Sequence, residues 1–197
     1  MSHKFPRIVK LSLYGFISLS ILLLLAVFIL VKPMRVVFAH HIPSLQCTGF
    51  VCVDNPQKQP LAQTLYDQAV KQTQDKVGAF QQQPTMVFCS TAQCAHLFGM
   101  EKAAAKAVGD LGLLVAPRGW KSFYIRHELI HHRQAEEWGN IAMFTKPKWL
   151  VEGMAYRLSD DPRPTLSQPF QQWRAQFKLW HKQHPNADIW YTTQQVR

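Results

Sequence analysis

Apolar and polar residues alternate along the chain with periods that change several times. Residues 11 to 31, LSLYGFISLSILLLLAVFILV, have no period: they are apolar or small throughout and carry no charge. Downstream, Leu61, Leu65, Ala69, Val70, Val77 and Phe80 fall on one stripe at helical spacing, which predicts a helix over 61–80. The run Thr85 to Cys89 is rich in strand formers and predicts a strand. The segment CAHLFGMEKAAAKAVGD predicts a short helix ended by Gly109, and Leu111 to Pro117 a second strand closed by proline. Helical patterns return in SFYIRHELIHHRQAEEWGN, again after Pro147, and in a last amphipathic segment with Phe170, Trp173, Phe177 and Trp180 at helical spacing. Those aromatics read as core. The order helix, strand, helix, strand and then three helices predicts an α+β domain with a small sheet, preceded by the apolar segment.

That segment changes the picture first. At 1.5 Å per residue it makes roughly 31 Å of helix, about the thickness of a bilayer's hydrocarbon core. Lys10 and Lys32 bracket it. A cleaved signal peptide is the alternative, with Val37-Phe38-Ala39 as a passable cleavage site. The run is longer than the usual signal core, however, and that site lies past its end. The reading is therefore a cytoplasmic segment at 1–10, a transmembrane anchor at 11–31, a linker and first loop at 32–60, and a folded domain at 61–197. Basic residues flanking the anchor favour a domain outside the cytoplasm, periplasmic or extracellular.

Of the 22 Lys and Arg in the chain, five (Lys4, Arg7, Lys10, Lys32, Arg35) lie in the first 35 residues, where there is no acid, so the formal charge of +10 is uneven. No Lys/Arg stripe with interleaved aromatics is present, and nucleic acid is not an expected partner. Membrane contact is expected through 11–31. The four cysteines all follow the anchor, as Cys47, Cys52, Cys89 and Cys94, in two pairs of equal spacing. In an exported domain an even count suggests disulfides. Of the three connectivities, local pairing (Cys47–Cys52, Cys89–Cys94) is preferred. A four-thiolate zinc site usually uses tighter spacing within each pair.

The candidate chemistry lies in the middle helix. His127 and His131 are four residues apart, so both imidazoles point from one helix face at one place, as two ligands of a divalent metal would. Glu128, beside the first, is close to that place without needing to bind it, where a carboxylate can take a proton from zinc-activated water. The bland alternative is a polar helix whose histidines pair with acids such as Glu136. Glu152 lies in the next predicted helix, within KWLVEGMAY, and two antiparallel helices could bring it to an open coordination position. Two histidines and one glutamate with a water in the fourth place is a catalytic zinc arrangement. His132 points away from that face and is expected to make no metal contact; Trp138, two turns on along the ligand stripe, reads as core.

The residues His127-Glu128-Leu129-Ile130-His131, followed by Trp149-Leu150-Val151-Glu152-Gly153-Met154-Ala155, resemble the gluzincin family of zinc metallopeptidases over about residues 110–160. The resemblance implies a Zn²⁺ held by His127, His131 and Glu152, with Glu128 as general base and a protein or peptide substrate. It also implies that the strand before the metal helix forms a sheet edge to which substrate adds as a strand. Here that is Leu111 to Val115, with Gly112, Leu113 and Leu114 against the substrate and the glycine allowing close approach; the alternative, which its four apolar residues allow, is an ordinary buried strand. The chain departs from the family at Tyr156, where thermolysin-like members usually place an aspartate that orients a ligand histidine. The Tyr156 hydroxyl is expected to do that work or to stabilise the oxyanion, with His181, His184 and Tyr191 as rival oxyanion donors. The competing reading is a non-catalytic membrane-anchored zinc-binding or assembly module.

Overall fold

The computed structural model describes residues 7–185 and 188–196. Most of the expected cytoplasmic segment, residues 1–6, lies outside the described residues. Helix α1, Arg7–Leu30, is followed by a 3₁₀ segment, Lys32–His41. Among the described residues no single helix is long and apolar enough to cross a membrane. Tyr14–Leu30 and Lys32–His41 satisfy length and composition only as a pair bent by 106°.

The folded part is α+β with a five-stranded mixed sheet. Its strands are β1 (Gln46–Thr48), β2 (Val51–Val53), β3 (Met86–Phe88), β4 (Ala105–Ala107) and β5 (Leu113–Val115), in the order β1-β2-β3-β5-β4. The three central strands run parallel and both edge strands are antiparallel to their neighbours. Alternation along the central strands sorts their side chains between two layers. Val51, Val53, Met86, Phe88, Leu113 and Val115 face helices α2 (Gln59–Val77) and α4 (Ser122–Trp138), meeting Ala62, Tyr66, Ile125 and Leu129. Cys52, Val87 and Leu114 face the other way, toward Val36 and Ala39 of the 3₁₀ segment and helix α3 (Ala92–Leu97). A third cluster joins α4 to α5 (Lys148–Leu158), α6 (Phe170–Lys182) and α7 (Ile189–Gln194) through Ile130, Leu150, Met154, Phe177 and Trp190.

Both local cysteine pairs, Cys47–Cys52 and Cys89–Cys94, are disulfide-bonded. Three expectations need correction. Residues 46–53, expected in an irregular first loop, form the β1–β2 hairpin closed by the first disulfide. The Ala-rich stretch expected to be helical divides into α3 and β4. Gly99, at φ +70°, turns the chain out of α3, and Ala105–Ala107 then pairs with β5. Alanine and lysine favour helix intrinsically, and sheet pairing outweighs that preference. Finally, β5 is not an edge: it lies between β3 and β4, fully buried. Gly112, at positive φ, makes a close approach to its own chain, since a Cβ there would stand 2.7 Å from the Thr85 carbonyl oxygen. The strand edge nearest α4 is β4.

Candidate metal centre

Helix α4 presents two faces to the core. Ile125 and Leu129 pack on the sheet while Ile130 and Trp138 pack on the C-terminal helices. The strip between them carries His127, Glu128 and His131. Buried Arg126 fixes the helix by donating to the Ser159 carbonyl at the end of α5 (2.7 Å), to Gln72 of α2, and to the Ser122 hydroxyl (2.9 Å). Helix α5 then brings Glu152 to the same strip. Gly153 lets α6 pack closely on α5: a Cβ there would stand 2.3 Å from the Trp173 carbonyl oxygen of α6.

The Nε2 atoms of His127 and His131 are 3.1 Å apart, and a Glu152 carboxylate oxygen lies 3.6 Å from the first and 3.7 Å from the second. A tetrahedral ion with bonds of about 2.0–2.1 Å sets neighbouring ligand atoms roughly 3.3–3.4 Å apart, so this triangle has the size of a metal site. The donor set, two imidazole nitrogens and a carboxylate oxygen, suits zinc among other first-row divalent ions. A second grouping, His40 with Cys47 and Cys52, cannot offer thiolates because that pair is a disulfide.

Gln134 completes the site and was not foreseen. It is fully buried; its Oε1 accepts from the His131 ring at Nδ1 (2.8 Å) and its Nε2 donates to the Val151 carbonyl (3.0 Å). A proton held at Nδ1 leaves the Nε2 lone pair free for a metal. The same side chain ties α4 to the residue preceding Glu152. The signal was present in the sequence, since Gln134 stands three residues after His131 on the same helix face.

Without a metal the three ligands behave as a charge pair. Burial disfavours a charged His131, but the Glu152 carboxylate, with Glu128 and Gln134 contributing, pushes its pKa up to about 9. Burial works to raise the Glu152 carboxyl, yet the two imidazoles outweigh it and hold Glu152 well below the usual carboxylate range.

Glu128 sits where two clefts meet. One, of about 610 Å³, is largely apolar and runs past His131 and Glu152, with Met34, Val108, Leu111, Met143 and Phe144 among its walls. The other, of about 260 Å³, runs past His127 and Tyr156 between Phe123, Tyr124 and Arg163. Residues of β4 border both. The pairing of Val108 with Gly112 and of Ala116 with Ala104 directs the backbone groups of Ala105 and Ala107 away from β5. The Ala107 N–H donates to the Glu128 carboxylate (2.7 Å). No other partner bonds that outer edge among the described residues.

Tyr156 reaches the site, its ring edge-on to His127 at 4.3 Å between centroids. Its hydroxyl makes no hydrogen bond among the described residues; burial and the nearby Glu152 push its pKa up. Arg163, paired with Asp161, lies over the rings of Tyr124 and Tyr156. The rival oxyanion donors are elsewhere. His181 stacks on Phe177, His184 bonds the Trp180 carbonyl, and Tyr191 is exposed; none of them lines either cleft. His132 is buried against Phe80 and lies 3.4 Å from Glu136, outside the ligand group. Gly112, Leu113 and Leu114 line neither cleft.

No protein-family model, curated protein or solved structure matches the chain.

Proposed function

We propose that the protein is a membrane-anchored zinc metallopeptidase, with His127, His131 and Glu152 as metal ligands and Glu128 as general base. The observation that carries this reading is the triangle of ligand atoms with Glu128 beside it, open to two clefts along a sheet edge. Zinc bound there supplies an acidified water and a polarised scissile carbonyl. Glu128 takes the water's proton and passes it to the leaving amine. Substrate is held as an added strand against the outward groups of β4 that Glu128 leaves open, the Ala105 N–H and carbonyl and the Ala107 carbonyl, which places its chain across Glu128 from one cleft to the other. Tyr156, beside His127 and with no hydrogen bond at its hydroxyl among the described residues, stands where an oxyanion donor would be needed. In this reading the anchor is the apolar run 11–31, most of it in α1, although α1 alone falls short of a full span; its exposed Phe16, Leu19, Leu22 and Leu23 call for an apolar surrounding.

One observation favours the second reading, an anchored zinc-binding or assembly module. The bond from the Ala107 N–H gives Glu128 a structural task, tying α4 to β4. Glu128→Gln separates the two. The amide oxygen still accepts from Ala107, so fold and zinc content should persist, while the base is lost. Cleavage of an unfolded protein or a peptide library by the zinc-loaded enzyme should fall at least about a hundredfold, the low end of a general-base contribution. Equal cleavage by wild type and variant removes Glu128 from the chemistry. Absence of cleavage by both, with zinc bound, favours the module.

A further inference from the structure

We propose that the mouth of the larger cleft lies on the membrane surface, docked to lipid through an apolar collar, so that the chain it receives is polypeptide at the bilayer face. This rests on the anchored-peptidase reading. Met34, a wall of that cleft, is four residues beyond Leu30, the end of α1. Four residues span at most about 14 Å, and the headgroup layer occupies roughly 6–7 Å on each side of the hydrocarbon. The cleft therefore cannot stand far from the bilayer that holds α1. Side chains hold it close: Phe38 packs edge-on against Phe28 of α1 at 5.6 Å between centroids. Arg35 donates to the carbonyls of Phe28 (3.1 Å) and Ile29 (3.3 Å) in α1 and of Leu97 (2.7 Å) in the domain.

The second observation is on the domain itself. Ile141 and Phe144, on the short turn around Ala142–Phe144, are 83% and 81% exposed, and Leu111 and Phe38 are 44% and 49% exposed. Leu111 and Phe144 line one cleft, Phe38 touches Phe28 of α1, and Ile141 is tied to Leu111 through their chain neighbours Asn140 and Asp110. Met34, Leu111, Met143 and Phe144 share the cleft, Val36 abuts Gly112, and Asn140 bonds Asp110 in both directions. Large apolar side chains exposed on a domain, one of them (Phe38) packed on α1 itself, fit hydrocarbon and headgroup better than water. Exposed Lys106 and Lys148 on the same cleft suit anionic headgroups.

The test uses the full chain in vesicles of phosphatidylcholine with phosphatidylglycerol. Cysteines introduced singly as Ile141→Cys, Phe144→Cys and Leu61→Cys, all at exposed positions, carry a fluorophore. Leu61 lies beside Ser90 and Pro117, past the opposite ends of the parallel strands, and serves as the control. Brominated acyl chains should quench the probes at 141 and 144 but not at 61. If aqueous iodide quenches all three alike and brominated lipid none, in protein that stays with the vesicles, the collar is refuted and the anchor stands. If the full chain does not stay with the vesicles, anchor and collar fall together. The substrate half is read by cleavage of one peptide, tethered to vesicle lipid or free, with Glu128→Gln as blank. Preference for the tethered form is expected, and equal rates overturn it. Failure to cleave either form would count against the peptidase reading while leaving the lipid contact as measured.

Discussion

Replacing Gln134 by leucine tests the metal centre at the residue that orients it. The side chains are close in volume, so packing changes little, but both polar contacts disappear. The His131 ring loses its Nδ1 acceptor at 2.8 Å, and the Val151 carbonyl loses a donor at 3.0 Å. His131 is only 12% exposed in its side chain, so water replaces that acceptor poorly. An unsatisfied buried N–H costs about 1–3 kcal/mol. The ring can escape by turning or by moving its proton to Nε2, and either removes the lone pair that faces Glu152 and His127. The zinc dissociation constant should therefore rise about 10- to 100-fold, or roughly 1.4–2.8 kcal/mol. Chelator competition at fixed pH measures it. Gln134→Glu keeps an acceptor for Nδ1 and should hold zinc more tightly than the leucine variant does, despite the missing bond to Val151. A leucine variant that binds zinc as tightly as wild type would show that Gln134 does not position His131. Leucine and glutamate variants weakened equally would assign the residue to joining α4 and α5 instead.

The pH dependence follows from the charge pair. In the metal-free protein His131 ionises near 9 against 6.5 for an ordinary histidine, so its stabilising pairing is complete below about pH 6.5 and is lost as pH rises toward 9. The depressed Glu152 contributes above about pH 4.5 and loses its contribution as acid is added. Metal must displace the His131 proton, so the rise in Tm on adding zinc should be larger at pH 9 than at pH 6.5; a pH-independent rise would contradict the pairing. Gly153→Ala forces a methyl toward the Trp173 carbonyl, and should cost about 1–3 kcal/mol in denaturant unfolding while lowering zinc occupancy through Glu152. Each disulfide closes a short loop with a sequence separation of 5. Opening either by paired Cys→Ser change should cost roughly 2 kcal/mol. Alkylation without reductant should find no free thiol, and four free thiols would refute the pairing.

How much of this was legible in the sequence depended on the range of the forces involved. Helices α2, α4, α5 and α6 could be read because their apolar stripes repeat within a few residues, and β3 because it is buried on both faces. Strand β4 could not, since Ala105–Ala107 has nothing strand-like in it: it is extended because β5 offers a partner and because Gly119 leaves room beside Ala104. The hairpin over 46–53 is three residues a side, too short for a period to show. Misplacing the sheet edge on β5 followed from missing β4, and it moved the expected substrate residues one strand inward, to Gly112, Leu113 and Leu114.

The ligands show the same division at closer range. His127 and His131 are placed together by helix geometry alone, so their spacing could be read directly. Glu152 is joined to them by tertiary structure, and what joins it is distributed: Gln134 spanning α4 and α5, Arg126 holding the end of α5 through Ser159, and Gly153 letting α6 press from behind. None of these has metal-binding character in the sequence, yet each governs the 3.6 and 3.7 Å separations on which the ligand triangle depends. This ordering makes the third ligand the sensitive one. A perturbation of α6 packing should lower metal occupancy through Glu152 while leaving the two histidines in place on α4. A variant that loosens α6 and still holds zinc at full affinity would mean that the metal, and not the helical frame, positions Glu152.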